Sequence, residues 1–396
     1  MPKKALIGVN NVARNIKQIY IGVNNVARKV KRAYIGVSGI ARIWWDRSVG
    51  TLSKAADADP LSLGRSRMGN ANTGNVYTLF AFGGISGGNS NRVDYYSASL
   101  VHSYTTVNPG RFGVAGASIG NYAIFGGGND YNQFAQGPGT NYVNAFDTNI
   151  TASVPTALGF SPLDPAGANN PSYAFIAGGS NMHGDATSYV YNNVEAYNAN
   201  LVKTAAPALS QYKALLAGAS VGNYAIIAGG NSYSLSSWNV GTNPTITPSN
   251  TVEAYDTNLV KTTAAALSVA RAELRGARNR DFALFGGGNS NAVDAYDANL
   301  VHYTPTGLSS ANGNIRLHVG ASTGGYAIFC SGVGTYSTDG LFATAYDINL
   351  TRYLPTPVTV QRQFASGGSI ANYALIAGGS DSSGAYPTTV EVYQEI

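Results

Sequence analysis

Cysteine is almost missing. Cys330 is the single one in 396 residues, so an internal disulfide framework is excluded. Charge is scarce, at 11% of residues, and histidine occurs four times. No uninterrupted apolar run approaches the roughly 18 residues that a spanning helix needs, so no membrane role is expected. Lysines stand near the N-terminus, but no apolar core follows them. A signal peptide is therefore not expected, and synthesis in a bacterial cytoplasm without export by the usual route is.

Glycine (48) and tyrosine (26) are abundant, with hydrophobic residues at 44%. That profile suits an all-β chain rich in turns, with enough apolar material for one or two domains. The net charge of +5 is unevenly distributed. Residues 1–45 hold nine Lys or Arg and no acid, whereas the remainder holds sixteen basic and twenty acidic residues. The basic character belongs to the N-terminal segment alone.

The segment "GNYAIIAGGN" (Gly222–Asn231) has the ingredients of a phosphate-cradling loop, but it is not alone. It recurs as "GNYAIFGGGN" (Gly120–Asn129), "PSYAFIAGGS" (Pro171–Ser180), "RDFALFGGGN" (Arg280–Asn289), "GGYAIFCSGV" (Gly324–Val333) and "ANYALIAGGS" (Ala371–Ser380), with a looser copy at Tyr77–Ile85. The seven copies are spaced 44 to 58 residues apart. A nucleotide site needs one glycine loop followed by a helix, and no helical periodicity follows any copy. The glycines are structural, placed where a side chain would clash.

Each copy is preceded by a stretch such as "LLAGASVG" and followed, after a loop, by one such as "VEAYDTNLV". Each unit thus reads as four short strands: a (AGAS), b (YAIIAGG), c (VEAYD) and d (NLVKT). Four-stranded units at this period predict a seven-bladed β-propeller over residues 49–396. The chain ends on a strand c, "VEVYQEI", while Val49–Leu63 resembles a strand d. The start of the domain is expected to complete the last blade and remove an exposed sheet edge.

The pattern resembles the kelch-repeat propellers. The resemblance rests on the glycine pair, on the aromatic of strand c (Tyr96, Phe146, Tyr197, Tyr255, Tyr296, Tyr346, Tyr393) and on a basic residue opening most a strands. Strand d departs from that family, with Val, Lys or Thr where tryptophan is usual. Kelch domains are mostly binding scaffolds, with some enzymes among them.

Residues 1–48 repeat differently. "IGVNNVARNIKQIY", "IGVNNVARKVKRAY" and "IGVSGIARIWW" have a period of 14. "VNNV" and "VSGI" set two turn-forming residues between β-branched ones, a hairpin signal. Three short hairpins bury little by themselves, so packing on a partner or on copies of this chain is expected. The segment resembles short basic repeats at the N-termini of prophage-encoded proteins of Gram-positive bacteria. That resemblance implies an attachment module ahead of a variable head. Arg14, Arg28, Lys31, Arg42, Trp44 and Trp45 are its candidate docking residues. An acidic protein surface suits the segment better than nucleic acid, since it carries no groove-reading motif.

Candidate chemistry is sparse. His102 and His302 occupy equivalent places in strand d of different units, which suits repeated surface positions better than a metal site. Asp147, Asp256, Asp297 and Asp347 follow the strand-c aromatic and are expected to cap the c–d turn. Cys330 reads as a small buried residue. No nucleophile–base pair, cofactor site or metal site is evident.

The loops say more. In four-stranded up-and-down units, the b–c and d–a connections share one face. The b–c loops differ greatly between units and are rich in Asn, Ser, Gly and aromatics, the chemistry of a paratope. Candidate ligand contacts are Tyr131, Phe134, Tyr142, Tyr189, Tyr191, Tyr233, Trp238, Tyr336 and Tyr386. A basic series near the start of strand a (Arg67, Arg111, Lys213, Arg271, Arg316, Arg362) would either form a cationic ring for an anionic ligand or bond neighbouring backbone carbonyls. Of these, Arg111, Arg271 and Arg362 are taken as candidate ligand contacts.

Together these features suggest a non-enzymatic virion protein of a tail, baseplate or head. It would form a homo-oligomer, dock on other virion proteins through residues 1–48 and present its loops to a bacterial-surface glycan. The alternatives are a cellular kelch-type protein–protein interaction module and, third, an enzyme acting on glycans.

Overall fold

The computed structural model describes the backbone of 6–9, 12–15, 19–23, 26–30, 32–37 and 40–46, and the full residues 49–130, 139–181, 187–239, 242, 244–309, 319–330 and 341–396. They form two compact units, Met1–Gly50 and Thr51–Ile396, all strand and turn with no helix among the described residues.

The first unit contains three separate antiparallel hairpins: Leu6–Val9 with Val12–Asn15, Ile19–Val23 with Val26–Val30, and Arg32–Val37 with Ile40–Asp46. The 14-residue period fixes their register. Arg14, Arg28 and Arg42 stand opposite Ile7, Ile21 and Ile35 in turn. Trp44 and Trp45 lie on the last strand, and Lys31 lies outside the described residues.

The second unit contains seven four-stranded antiparallel sheets among the described residues, each ordered a–b–c–d. The fourth is representative, with a at Ala217–Val221, b at Tyr224–Ala228, c at Val252–Tyr255 and d at Lys261–Thr263. The a strands of the others are Gly69–Thr73, Ala115–Ile119, Ala166–Asn169, Leu274–Arg278, Val319–Ser322 and Ser366–Ile370. In the seventh sheet, strand d is Leu52–Lys54, paired with Val390–Glu395 so that Tyr393 faces Lys54. This β-propeller-like fold takes the outer strand of its last sheet from the start of the unit.

Residue patterns explain the layering. Strand b is a continuous apolar run, buried on both faces, as expected of a strand covered from two sides. Strand a alternates, burying Ala217, Ala219 and Val221 and leaving Gly218 less covered. The core lies between consecutive sheets. Ile226 and Val252 of the fourth sheet pack with Phe285 and Tyr296 of the fifth. Leu375 and Val392 of the seventh pack with Phe80 and Tyr96 of the first.

Two devices hold neighbouring sheets together. A Cβ on Gly167 would stand 2.1 Å from the carbonyl oxygen of Gly116, and one on Gly218 2.1 Å from that of Gly167. Only glycine permits that approach. The second device is a main-chain bond just before strand a. The N–H of Gly113 donates to Arg67 O (3.0 Å), that of Asp164 to Gly113 O (2.9 Å), that of Glu273 to Leu215 O (3.0 Å) and that of Arg67 to Phe364 O (3.0 Å). Arg67, Asp164, Leu215, Glu273 and Phe364 all adopt positive φ there. That strain persists because the bond to the neighbouring sheet holds it.

The strand-c tyrosines add a side-chain tie. Each hydroxyl donates to a carbonyl of the connection that enters its sheet: Tyr197 to Thr156 (2.8 Å), Tyr255 to Pro207 (2.9 Å), Tyr296 to Ala265 (2.8 Å) and Tyr346 to Thr306 (2.7 Å). Tyr96 reaches Asp59 and Tyr393 reaches Thr356, both at 2.8 Å. Phe146 fills the position in the second sheet without a hydroxyl.

Candidate functional site

The basic residues before strand a are not a ligand surface. Arg111 and Arg362 are wholly buried, and Arg271 is 2% exposed. Arg111 donates through Nη1 to the carbonyls of Gly127 and Tyr142, both at 2.8 Å, and through Nη2 to Asn144 Oδ1 at 2.5 Å. Burial pulls its pKa down to about 10. Arg271 reaches Asp294 at 2.6 Å, and Arg362 reaches Glu391 at 2.7 Å. All three are spent on strands of their own sheets, because a buried guanidinium must be matched by acceptors there. They are withdrawn as ligand contacts.

In the first sheet the equivalent buried cation is Arg65, 2.6 Å from Asp94. Arg67 points elsewhere, over the Phe364 ring at 4.3 Å and 3.6 Å from Asp164. Lys213 takes the place in the fourth sheet and donates to Thr251 Oγ1. Burial, only partly offset by Glu253, lowers its pKa to about 8. Arg316 lies outside the described residues.

The buried carboxylates complete a repeated cluster that sequence reading missed. In strand c, Asp94, Glu195, Glu253, Asp294 and Glu391 each accept the incoming main-chain N–H of Ser62, Gly159, Ser210, Ser268 or Thr359. Each also meets a basic residue on strand d: His102, Lys203, Lys261, His302 or Lys54. In four of these five sheets the acid and its basic partner stand eight residues apart, a spacing visible in the sequence. His102 and His302 stack on Tyr96 and Tyr296 at 4.7 and 5.0 Å, so each histidine is tied within its own sheet. Among the described residues no group of three metal-ligating side chains occurs. Burial pushes the Asp94 carboxyl up, but the hydrogen bond from His102 and the charge of Arg65 outweigh it and hold it below its ordinary value.

The aspartates after the strand-c aromatic cap turns. Asp147 Oδ1 accepts from the N–H of Asn149 and of Thr151, both at 2.8 Å, and Asp256 does the same for Asn258 and Val260. Cys330 is fully buried, and burial raises its thiol pKa far above its ordinary value.

The b–c loops of the third and fourth sheets make the most developed surface. They build two small sheets of their own. Asn231–Tyr233 pairs with Tyr212–Ala214 on one side and Ile246–Pro248 on the other. Ser237–Trp238 crosses to the neighbouring loop and pairs with Ser188–Val190, which also pairs with Ser180–Asn181. The Val190 N–H donates to Ser236 O at 2.9 Å, and Thr187 Oγ1 to Asn239 Oδ1 at 2.5 Å. Two loops from different units are thus joined into one structure before any ligand arrives.

Their aromatics divide by burial. Tyr233, at 6% exposure, stacks on Trp238 at 5.5 Å and packs with Val190 and Ala214. It is the core of this small structure and is withdrawn as a contact. Trp238 is half-buried beside it. Tyr191 packs on Phe160 at 5.3 Å and lies parallel to Tyr189, which is 42% exposed. Tyr142 is exposed and Tyr386 half-buried. Leu235 and Ile246 add exposed apolar surface that composition did not single out. Tyr131, Phe134 and Tyr336 lie outside the described residues.

The chain folds like YjhT. The solved structure of YjhT, a β-propeller-type fold, matches with a TM-score of 0.51 at 12% identity, over 84% of this chain and 95% of that one. At that identity the likeness concerns the fold alone. No family model and no curated protein matches the chain.

Proposed function

We propose that residues 49–396 form a closed, seven-bladed, kelch-like propeller that acts as a non-enzymatic binding head. Closure is supported by the seven four-stranded sheets, by the packing of the seventh sheet on the first, and by strand Leu52–Lys54.

The observation that carries the binding role is the joined loop pair. Ser188–Val190 and Ser237–Trp238 are hydrogen-bonded across two units, with Tyr189 exposed beside Tyr191 and Tyr233 buried against Trp238. Pre-ordering removes part of the entropy cost of binding, and flat aromatic faces beside Asn and Ser suit the ring faces and hydroxyls of a sugar. The ligand is a bacterial-surface glycan. Residues 1–48 dock the head, as a homo-oligomer, on other virion proteins. This placement is supported by the regular basic hairpins and by their likeness to prophage-encoded repeats. The exposed Leu235 and Ile246 in the fourth sheet's b–c loop favour one second reading, a cellular protein–protein interaction module.

Mass spectrometry of purified phage particles tests the placement. A fixed stoichiometry of this chain is expected, and its absence from particles transfers the weight to the cellular module.

A further inference from the structure

The inner strands enclose a second feature, unconnected with the loops. A cavity of about 580 Å³ runs along the a strands and opens among the a–b turns at Gly74, Gly120, Pro171 and Gly222. Its walls repeat. Two residues beyond the close-packed position, which is glycine in six strands and Asn70 in the first, the cavity-facing position is a small polar residue in six of the seven: Asn72, Ser118, Asn169, Ser220, Ser322 and Ser369. Several of these serve the frame. Ser118 Oγ accepts the N–H of Asn72 (2.8 Å), Ser220 Oγ that of Asn169 (3.2 Å), and Ser322 Oγ that of Arg278 (3.0 Å).

In the fifth sheet that position is Arg278, the one charged residue among the described residues lining this cavity. Among the described residues its guanidinium has no hydrogen-bond or ion-pair partner. Its side chain is exposed to the solvent space of the cavity, and the crowding of the surrounding walls lowers its pKa from the ordinary arginine value. The opposite end differs. There a smaller cavity of about 230 Å³ holds Arg67 and Arg275 together with Asp164 and Glu273, so its cations face carboxylates. The buried cations described above are matched by acceptors within their own sheets. Arg278 is instead exposed and offers its donors to a polar space of ligand size.

We propose that this cavity binds a small polar molecule through a carboxylate, sulfate or phosphate group held by Arg278. The planar guanidinium matches two oxygens of such a group. The Ser322 hydroxyl, already an acceptor from Arg278 N–H, keeps its own proton to donate. The small neighbours on the other strands leave room for the body of the ligand. The loops take no part, so this site stands or falls separately from the glycan-binding reading.

Calorimetric titration of the full chain with inorganic phosphate, with glucuronate and with neutral glucose tests the site. At least one of the two anions is expected to bind, and glucose is not. Phosphate binding alone points to a phosphate or sulfate source, and glucuronate binding alone to an acidic sugar. Arg278→Ala is expected to weaken anion binding about tenfold or more, Arg278→Lys to retain an intermediate share, and Val154→Ala, at an exposed position beside the outer strand of the second sheet, to change nothing. Thermal melts of each variant establish that it is folded. No binding of either anion, anion binding unchanged in Arg278→Ala, or glucose bound as tightly as glucuronate overturns the proposal.

Discussion

Lys54 Nζ lies 2.6 Å from Glu391 Oε1, across 337 residues of chain. The pair is the fifth occurrence of a repeated place, where strand d hands a basic residue to the acid of strand c. Glu391 also accepts from Arg362 at 2.7 Å and from the Thr359 N–H at 2.6 Å. A segment from the start of the unit therefore occupies the outer place in the last sheet with the same chemistry that four other sheets find locally.

Removing the acid is expected to cost more than removing the lysine. Glu391→Ala strands the wholly buried Arg362 and is expected to lose about 3–5 kcal/mol, the usual cost of leaving a buried charge alone. Lys54→Ala is expected to lose about 1 kcal/mol, because the remaining partners still satisfy the carboxylate. Urea unfolding of the two single variants and the double variant measures both. The double is expected to lose less than the sum, since the residues share one network.

Acid sensitivity follows from the same clusters. Burial raises the Glu391 pKa, but the bonds from Lys54 and Thr359 and the charge of Arg362 prevail and hold it below the ordinary glutamate value. Asp294 is held below the ordinary aspartate value for like reasons, with Arg271 the largest lowering influence. Folded carboxyls with depressed pKa values contribute stability that is fully present above the unfolded values. That contribution is lost as pH falls through the folded ones. The melting temperature is expected to hold down to about pH 5 and to drop steeply below about pH 4. Asp94→Asn is expected to shallow that drop while lowering stability at neutral pH.

The glycines of strand a are the least replaceable small residues. Gly167→Ala places a methyl 2.1 Å from a backbone oxygen of the adjacent strand, and backbone cannot swing aside as a side chain can. A loss of several kcal/mol, on the order of the largest overpacking effects, is expected in chemical denaturation. Gly88→Ala, where nothing lies within 4 Å of the added atom, is expected to be nearly silent.

Arg111 separates a structural role from a binding one. Arg111→Ala removes one donor from each of two carbonyls and from Asn144 and is expected to cost about 2–4 kcal/mol. Once stability is matched by temperature, ligand affinity is expected to be unchanged, which a binding titration at low temperature checks.

Much of this was legible in the residues. The strand order, the glycine pairs and the turn-capping role of Asp147 and its equivalents follow from repeated spacing, because each unit solves the same local problem. The identity of the first buried arginine was misread. In the stretch "GRSRMG", Arg65 stands four residues before strand a, as do Arg111, Lys213 and Arg362 before theirs, while Arg67 stands two before. Spacing, not charge, separates them. The pairing of Ser188–Val190 with Ser237–Trp238 left no such signal. It joins loops of different length that occur once each, so no repeat exposes it, and the burial of Tyr233 depends on that pairing.

The most direct measurement compares the intact chain with Tyr189→Ala and Trp238→Ala on an array of bacterial cell-surface polysaccharides, with melting curves run alongside. The account predicts that the intact chain binds a defined polysaccharide. It also predicts that Tyr189→Ala weakens that binding about tenfold with an unchanged melt. Absence of polysaccharide binding by the intact chain, or binding that survives both substitutions, would contradict it.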